Sequence, residues 1–153
     1  MRKALLVLAF CGFAVSLWAA DPIIGTWKLN IAKSKFSQAA PKEQTNTARV
    51  IGDQLEITIT GTQADGSPIS LKSTFPLQGG AGKTQQSTFS KPDSVVFTKL
   101  DPGDLCFTEL QNGKQVVIHH VVVSKDGKTA HETDRGMDAK GKPFEDISVF
   151  DKQ

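Results

Sequence analysis

The sequence predicts an all-β fold, a single antiparallel up-and-down barrel of roughly eight to ten strands with at most a short helix after the first strand. Three observations carry that expectation. Apolar residues recur at every second position, most plainly at Leu55, Ile57 and Ile59 between Glu56, Thr58 and Thr60, the pattern of a half-buried strand. Glycine-containing turns punctuate the chain at Asp65-Gly66, Asn112-Gly113, Asp126-Gly127 and Lys140-Gly141, and connections this short make sequential strands neighbours in space. A Gly-x-Trp at Gly25 and Trp27 opens the first strand, where a glycine permits a tight bend and an indole plugs a barrel floor. A meander this long has two raw edges unless its last strand pairs with its first, so closure is expected between the strand ending at Phe150 and the Trp27 strand. A two-sheet sandwich is the alternative, but it needs long crossing connections, and only residues 30–43 and 76–90 supply any.

Residues 1–20 stand apart from this domain. Arg2 and Lys3 precede an apolar run from Ala4 to Trp18, and Ala19-Ala20 supplies small residues at the exit; together these describe a secretory signal peptide. The run is shorter than the ~20 residues a membrane-crossing helix needs, and none of that length recurs. Leu17 or Trp18 occupies a position where a small residue is preferred, which leaves the cleavage position open. Cys11 follows the bulky Phe10, a departure from a lipid-attachment site. Without the leader, Lys plus Arg number 16 against 16 Asp plus Glu. A neutral, mixed surface argues against nucleic acid and against attachment to anionic membranes, both of which need a cationic face. Cys106 is then the sole cysteine, so no intrachain disulfide is available and residues 21–153 rely on a packed core. Export places the protein in the periplasm or outside the cell.

After the opening strand, residues 30–43 are rich in Lys, Ser and Ala and contain Pro41; residues 31–39 have room for one or two helical turns, weakened by Ser34 and Ser37. Residues 44–51 are β-rich and end at Gly52-Asp53, before the alternating strand around Ile57. Ile69, Leu71 and Phe75 share one face of the next strand. Residues 76–90 are polar and glycine-containing, with space for one short edge strand. Strands resume at 93–100 with Val95 and Phe97, at 105–110, at 115–123, at 129–136 and at 144–150.

The string Gly25-Thr26-Trp27-Lys28-Leu29 resembles the opening of lipocalins and, more closely, of fatty-acid-binding proteins. The chain is also similar to a group of small exported bacterial lipocalin-like proteins that share the run from Gly25 to Phe36, the hairpin from Val123 to Lys128, and the ending Val149-Phe150-Asp151-Lys152-Gln153. The resemblance implies a closed scaffold around a small ligand and, from lipocalins, a late arginine stacked over the Gly-x-Trp indole, a place for which Arg135 is the candidate. Two departures narrow it. The interval from 30 to 43 is too short for the helix pair that lids fatty-acid-binding proteins, and Ser148-Val149-Phe150 stands where those proteins carry an Arg-x-Tyr; the chain has no tyrosine at all. A fatty acid is therefore not the expected ligand.

Several constellations bear on chemistry. His119, His120 and His131 lie on two strands joined by the Asp126-Gly127 turn. A two-residue turn sets His131 opposite Val122 and on the face of His120, whereas a one-residue slip moves it to the face of His119. In either register one tandem histidine is diagonal to His131, ~7 Å away, within reach of one shared metal ion with Glu109 or Glu132 completing the site. The plainer reading is one histidine in water and another on a cavity wall, with no metal. Glu132, Asp134, Glu145 and Asp146 would form an acid–base pair if two converged inside, although alternation sends half of all strand residues outward. Residues 79–84 lack the spacing of a phosphate loop and read as a cavity rim. Phe75, Phe97, Phe107, Phe144 and Phe150 spread aromatic bulk over five strands, as a filled core or an apolar cavity wall would.

The expectation is thus a binding protein for a small, largely apolar ligand, with no cofactor and no chemistry on the ligand. Its cavity candidates are Phe75, Phe97, Phe107, His119, His120, His131 and Glu132, and its floor motif is Gly25, Trp27 and Arg135. The alternatives are a barrel hydrolase or isomerase using the histidine and glutamate groups, with or without a metal, and a protein-interaction domain with a filled core.

Overall fold

The computed structural model describes residues 21–89, 92–138 and 140–153, so the expected leader lies outside the described residues. The strands are β1 (Gly25–Leu29), β2 (Glu43–Ile51), β3 (Gln54–Thr62), β4 (Pro68–Pro76), β5 (Gly80–Ala81), β6 (Lys83–Ser87), β7 (Ser94–Asp101), β8 (Asp104–Gln111), β9 (Lys114–Val123), β10 (Thr129–Met137) and β11 (Pro143–Lys152). All join one antiparallel sheet in the order β5-β7-β8-β9-β10-β11-β1-β2-β3-β4-β6. The last strand meets the first: Trp27 lies opposite Lys152 and Leu29 opposite Phe150, while the other edge of β1 pairs with β2 at Gly25–Ala48 and Lys28–Thr45. The result is a nearly closed up-and-down barrel. Among the described residues no helix is long and apolar enough to cross a membrane.

The two ends of the sheet order are consecutive in the chain. β5 pairs with β7 and β6 pairs with β4, so residues 80–87 bridge the seam by changing partner at Gly82. The expected single edge strand is therefore two short segments, which brings the strand count to eleven. Gly82 N–H donates to Val95 O across 2.9 Å, and the Ser73 and Thr84 hydroxyls meet at 2.9 Å on the far side. A Cβ at Gly82 would overlap the Phe75 ring, so the crossing needs a residue without a side chain.

The helical expectation for residues 31–39 shrinks to one 3-10 turn at Ile31–Lys33, capped by Asn30 Oδ1 accepting from Lys33 N–H at 3.2 Å. The backbone then returns to β11, bridging Lys35 to Ile147. That pairing satisfies backbone groups that a longer helix would have withdrawn from β11.

Alternation sorts the side chains into two populations. The inward set at one end forms a dry floor of Ile23, Trp27, Leu55, Phe75, Phe97, Leu105 and Phe150. Phe75, Phe97 and Phe107 pack as a triplet with ring centroids 5.1 to 5.9 Å apart, a separation at which aromatic pairs attract beyond their area burial. Trp27 is 2% exposed, and its indole N–H donates to Ile23 O at 2.7 Å. Beneath it, Asp21 accepts from Ile23 N–H and Gly103 N–H and pairs with Lys99 at 2.6 Å, a buried charge with partners on three sides.

Replacing Gly82 with alanine will force Phe75 out of the aromatic triplet. We expect a loss of about 1–3 kcal/mol, read as a lowered urea midpoint with an unchanged slope.

Candidate functional site

Above the floor the barrel is hollow. A cavity of about 940 Å³ is bounded below by Ile23, Trp27, Phe75, Leu105, Phe107 and Phe150, and higher up by polar side chains from β8 to β11. Core and cavity wall, alternatives in the sequence, thus coexist: the aromatic residues fill one end and roof their packing with an apolar surface.

The polar wall follows from strand register. His119 lies opposite Phe107 on β8 and opposite Asp134 on β10, Asp134 lies opposite Asp146 on β11, and Glu132 lies two residues from Asp134 on the same face. His119 Nδ1 is 2.8 Å from Asp134 Oδ1 and 3.9 Å from Glu132 Oε1, while Nε2 is 3.4 Å from Glu109 Oε1. Burial disfavours the imidazolium, but hydrogen bonds to Asp134 and then Glu109, with the charges of Asp134 and Glu132, outweigh it and push His119 up to about 10. Glu132 is pushed up to about 8, first by burial and then by the charge of Asp134, against the pull of His119. At neutral pH both groups hold their protons: the ring is a cation and Glu132 a neutral acid. A general base must be unprotonated at its working pH, so His119 is poorly suited to that role.

The other two histidines are elsewhere. His131 pairs with Val122, the register that puts it on the face of His120, and that face is the outside of the barrel. His131 is exposed, and His120 Nε2 is held by Asp104 at 2.8 Å. No ion can be shared between the inward His119 and these two, because a strand's successive side chains point to opposite faces. Among the described residues the set with metal-binding geometry is instead His119, Glu132 and Asp134, whose ligand atoms lie within 4.8 Å of one another, a nitrogen and two oxygens suited to a borderline divalent cation.

Two further expectations change. Phe97 does not line the cavity; it is 1% exposed behind Phe75 and Phe107 and belongs to the floor. Arg135 is not the cation over the indole. It points outward to Glu145 at 2.6 Å, since it is odd-numbered on a strand whose even-numbered residues face in. Lys152 takes the place, with Nζ 4.9 Å from the Trp27 ring centroid and donating to Pro22 O at 2.9 Å. Gly25, at φ 140°, leaves the path for that stem, since a Cβ there would sit 2.9 Å from Lys152 Cε. Closure of the last strand on the first sets Lys152 opposite Trp27, two residues beyond the strand end expected from sequence. Of the four strand carboxylates noted in the sequence, Glu132, Asp134 and Asp146 line the cavity and Glu145 does not.

No protein-family model matches the chain, and no curated protein sequence matches it. What the fold and the site define is a class: an all-β barrel whose interior is open to a ligand.

The two protonations make stability pH-dependent. A carboxyl held protonated to about 8 instead of 4.5, and an imidazole held protonated to about 10 instead of 6.5, both mean that the folded chain binds more protons than the unfolded one. Stability is therefore full at the acid side of each window and falls as pH rises through it. Glu132→Gln is expected to flatten the fall between about pH 4.5 and about pH 8 and leave the fall toward about pH 10 in place, as measured by urea unfolding across that range.

Proposed function

We propose that this chain is an exported, lipocalin-like binding protein that holds a small, largely apolar ligand in its barrel without transforming it. The observation that carries the reading is the cavity of about 940 Å³ above a packed floor, within the range of roughly 300–1,000 Å³ usual for small-molecule sites. Its lower wall is hydrocarbon and aromatic ring, supplied by Phe75, Phe107, Phe150 and Ile57, so transfer of an apolar body from water is favourable at about 25 cal/mol per Å². A few polar groups at His119, Glu132 and Asp134 add orientation. The opening string at Gly25 to Leu29 and the basic and apolar leader in residues 1–20 support the superfamily and the exported location. The rival reading, a hydrolase or isomerase, is weaker because His119 holds its proton well above neutral pH.

Native mass spectrometry of protein taken from its own host should find a co-purifying organic molecule lost on denaturation; protein that carries none and whose thermal midpoint is unmoved by any apolar compound would sink the reading. Export predicts that protein recovered outside the inner membrane starts close to Asp21, checked by N-terminal sequencing.

A further inference from the structure

We infer that the ligand of this cavity is a cation, an apolar body ending in an ammonium group, recognised by the wall of Glu109, Glu132, Asp134 and Asp146. The inference rests on the binding-protein reading and narrows it to one chemical class.

The first ground is the sign of the lining. Among the described residues that bound the cavity there are five carboxylates, Asp93, Glu109, Glu132, Asp134 and Asp146, one histidine, and no lysine or arginine. Outside the leader the chain carries equal numbers of acidic and basic residues, so the interior is acidic although the whole is not. Nearby cations are committed elsewhere: Arg135 to Glu145 on the outer face, Lys99 to Asp21 and Lys152 to Pro22 O beneath the floor. A concave, low-dielectric wall of one sign concentrates its potential on whatever enters.

The second ground is unmet capacity. Asp134 and Asp146 face each other directly across β10 and β11, an opposition of like charges that destabilises a sheet unless something positive lies between. Asp146 accepts from Ser37 N–H through Oδ1, and His119 answers Asp134 with Nδ1 and Glu109 with Nε2, which leaves the second oxygens of Asp134 and Asp146 for a further donor. Glu132 makes no hydrogen bond among the described residues, its nearest partner being His119 Nδ1 at 3.9 Å. An ammonium group supplies the positive charge and three donors at once, which Glu132, Asp134 and Asp146 can accept.

The third ground is the other end of the cavity. A bare metal ion would use the three ligand atoms at His119, Glu132 and Asp134 but none of the apolar wall at Trp27, Ile57 and Phe150. A carboxylate-headed lipid would match that wall and meet like charge above it. Only a molecule with an apolar body and a cationic head matches both halves.

The test is calorimetric titration of the purified protein near neutral pH with octylamine, octanol and octanoate, which share one apolar body and differ in the sign of the head. Octylamine should bind about tenfold or more tighter than octanol, with octanoate weakest. In Asp134→Asn and in Asp146→Asn, each of which removes one negative charge from the wall, the amine's advantage over octanol should shrink severalfold, with an unchanged circular-dichroism spectrum showing that the variants are folded. Equal binding of all three by the unaltered protein would overturn the charge inference and leave the carrier reading standing. No binding of any of them, with Zn²⁺ alone giving a heat that vanishes in His119→Ala, would overturn both in favour of a metal centre.

Discussion

The double pairing of Gly25–Leu29, with β2 on one edge and β11 on the other, is the constraint on which the molecule depends. These five residues turn a long meander into a barrel and bring Trp27 under the centre of it. Without them β2 and β11 would be open edges, and the inward faces of ten other strands would have no common interior to bury against. The floor is built on the same contact. Trp27 is held by Ile23 O, Lys152 lies under its ring because Lys152 is its cross-strand partner, and the segment at Asp21 and Pro22 is tied to Gly103 and Lys152.

Closure turns a two-residue rhythm into a distinction between inside and outside. One hairpin then decides the chemistry of the interior. The turn at Asp126-Gly127 sets His131 opposite Val122 and His119 opposite Asp134, which puts one imidazole in the cavity among carboxylates and two on the outer surface. A slip of one residue would invert that assignment along the whole of β10. Ala130, packed into the floor at 2% exposure, and Glu132 and Asp134 above it occupy the same inward row. The slip would replace this row with Thr129, His131, Thr133 and Arg135, exchanging an acidic wall for a basic one.

The interior is divided along its length. At the floor, side chains interdigitate and leave no space; higher up, carboxylates around one imidazolium cannot pack so closely, because each needs partners or water in place of hydrocarbon. His119 and Glu132 retain protons there because ionising the whole group would leave several like charges in a poorly hydrated wall. The seam at Gly82 completes the cavity wall without adding charge.

The strands were legible because alternation and glycine turns are local signals. Leu55 to Ile59 betrays its buried face in five residues, and Asn112-Gly113 takes the positive φ at both positions that its hairpin requires. The inward set of any one strand was legible too, and so was closure, since the alternative was an unprotected edge. What each inward residue meets was not. Arg135 and Lys152 look equally able to reach Trp27 along the chain, and only the pairing of β1 with β11 separates them; Phe97 and Phe107 look alike as wall residues, and only the packing of Phe75 and Phe107 over Phe97 buries the first and leaves the second on the cavity. The sequence by itself determined the fold class and the two faces of each strand, because those follow from period and turn chemistry. The tertiary structure alone decided that Glu109, His119, Glu132, Asp134 and Asp146, from four strands, share a hollow, because contacts such as His119 with Glu109 and with Asp134 depend on register and curvature, which no local pattern encodes.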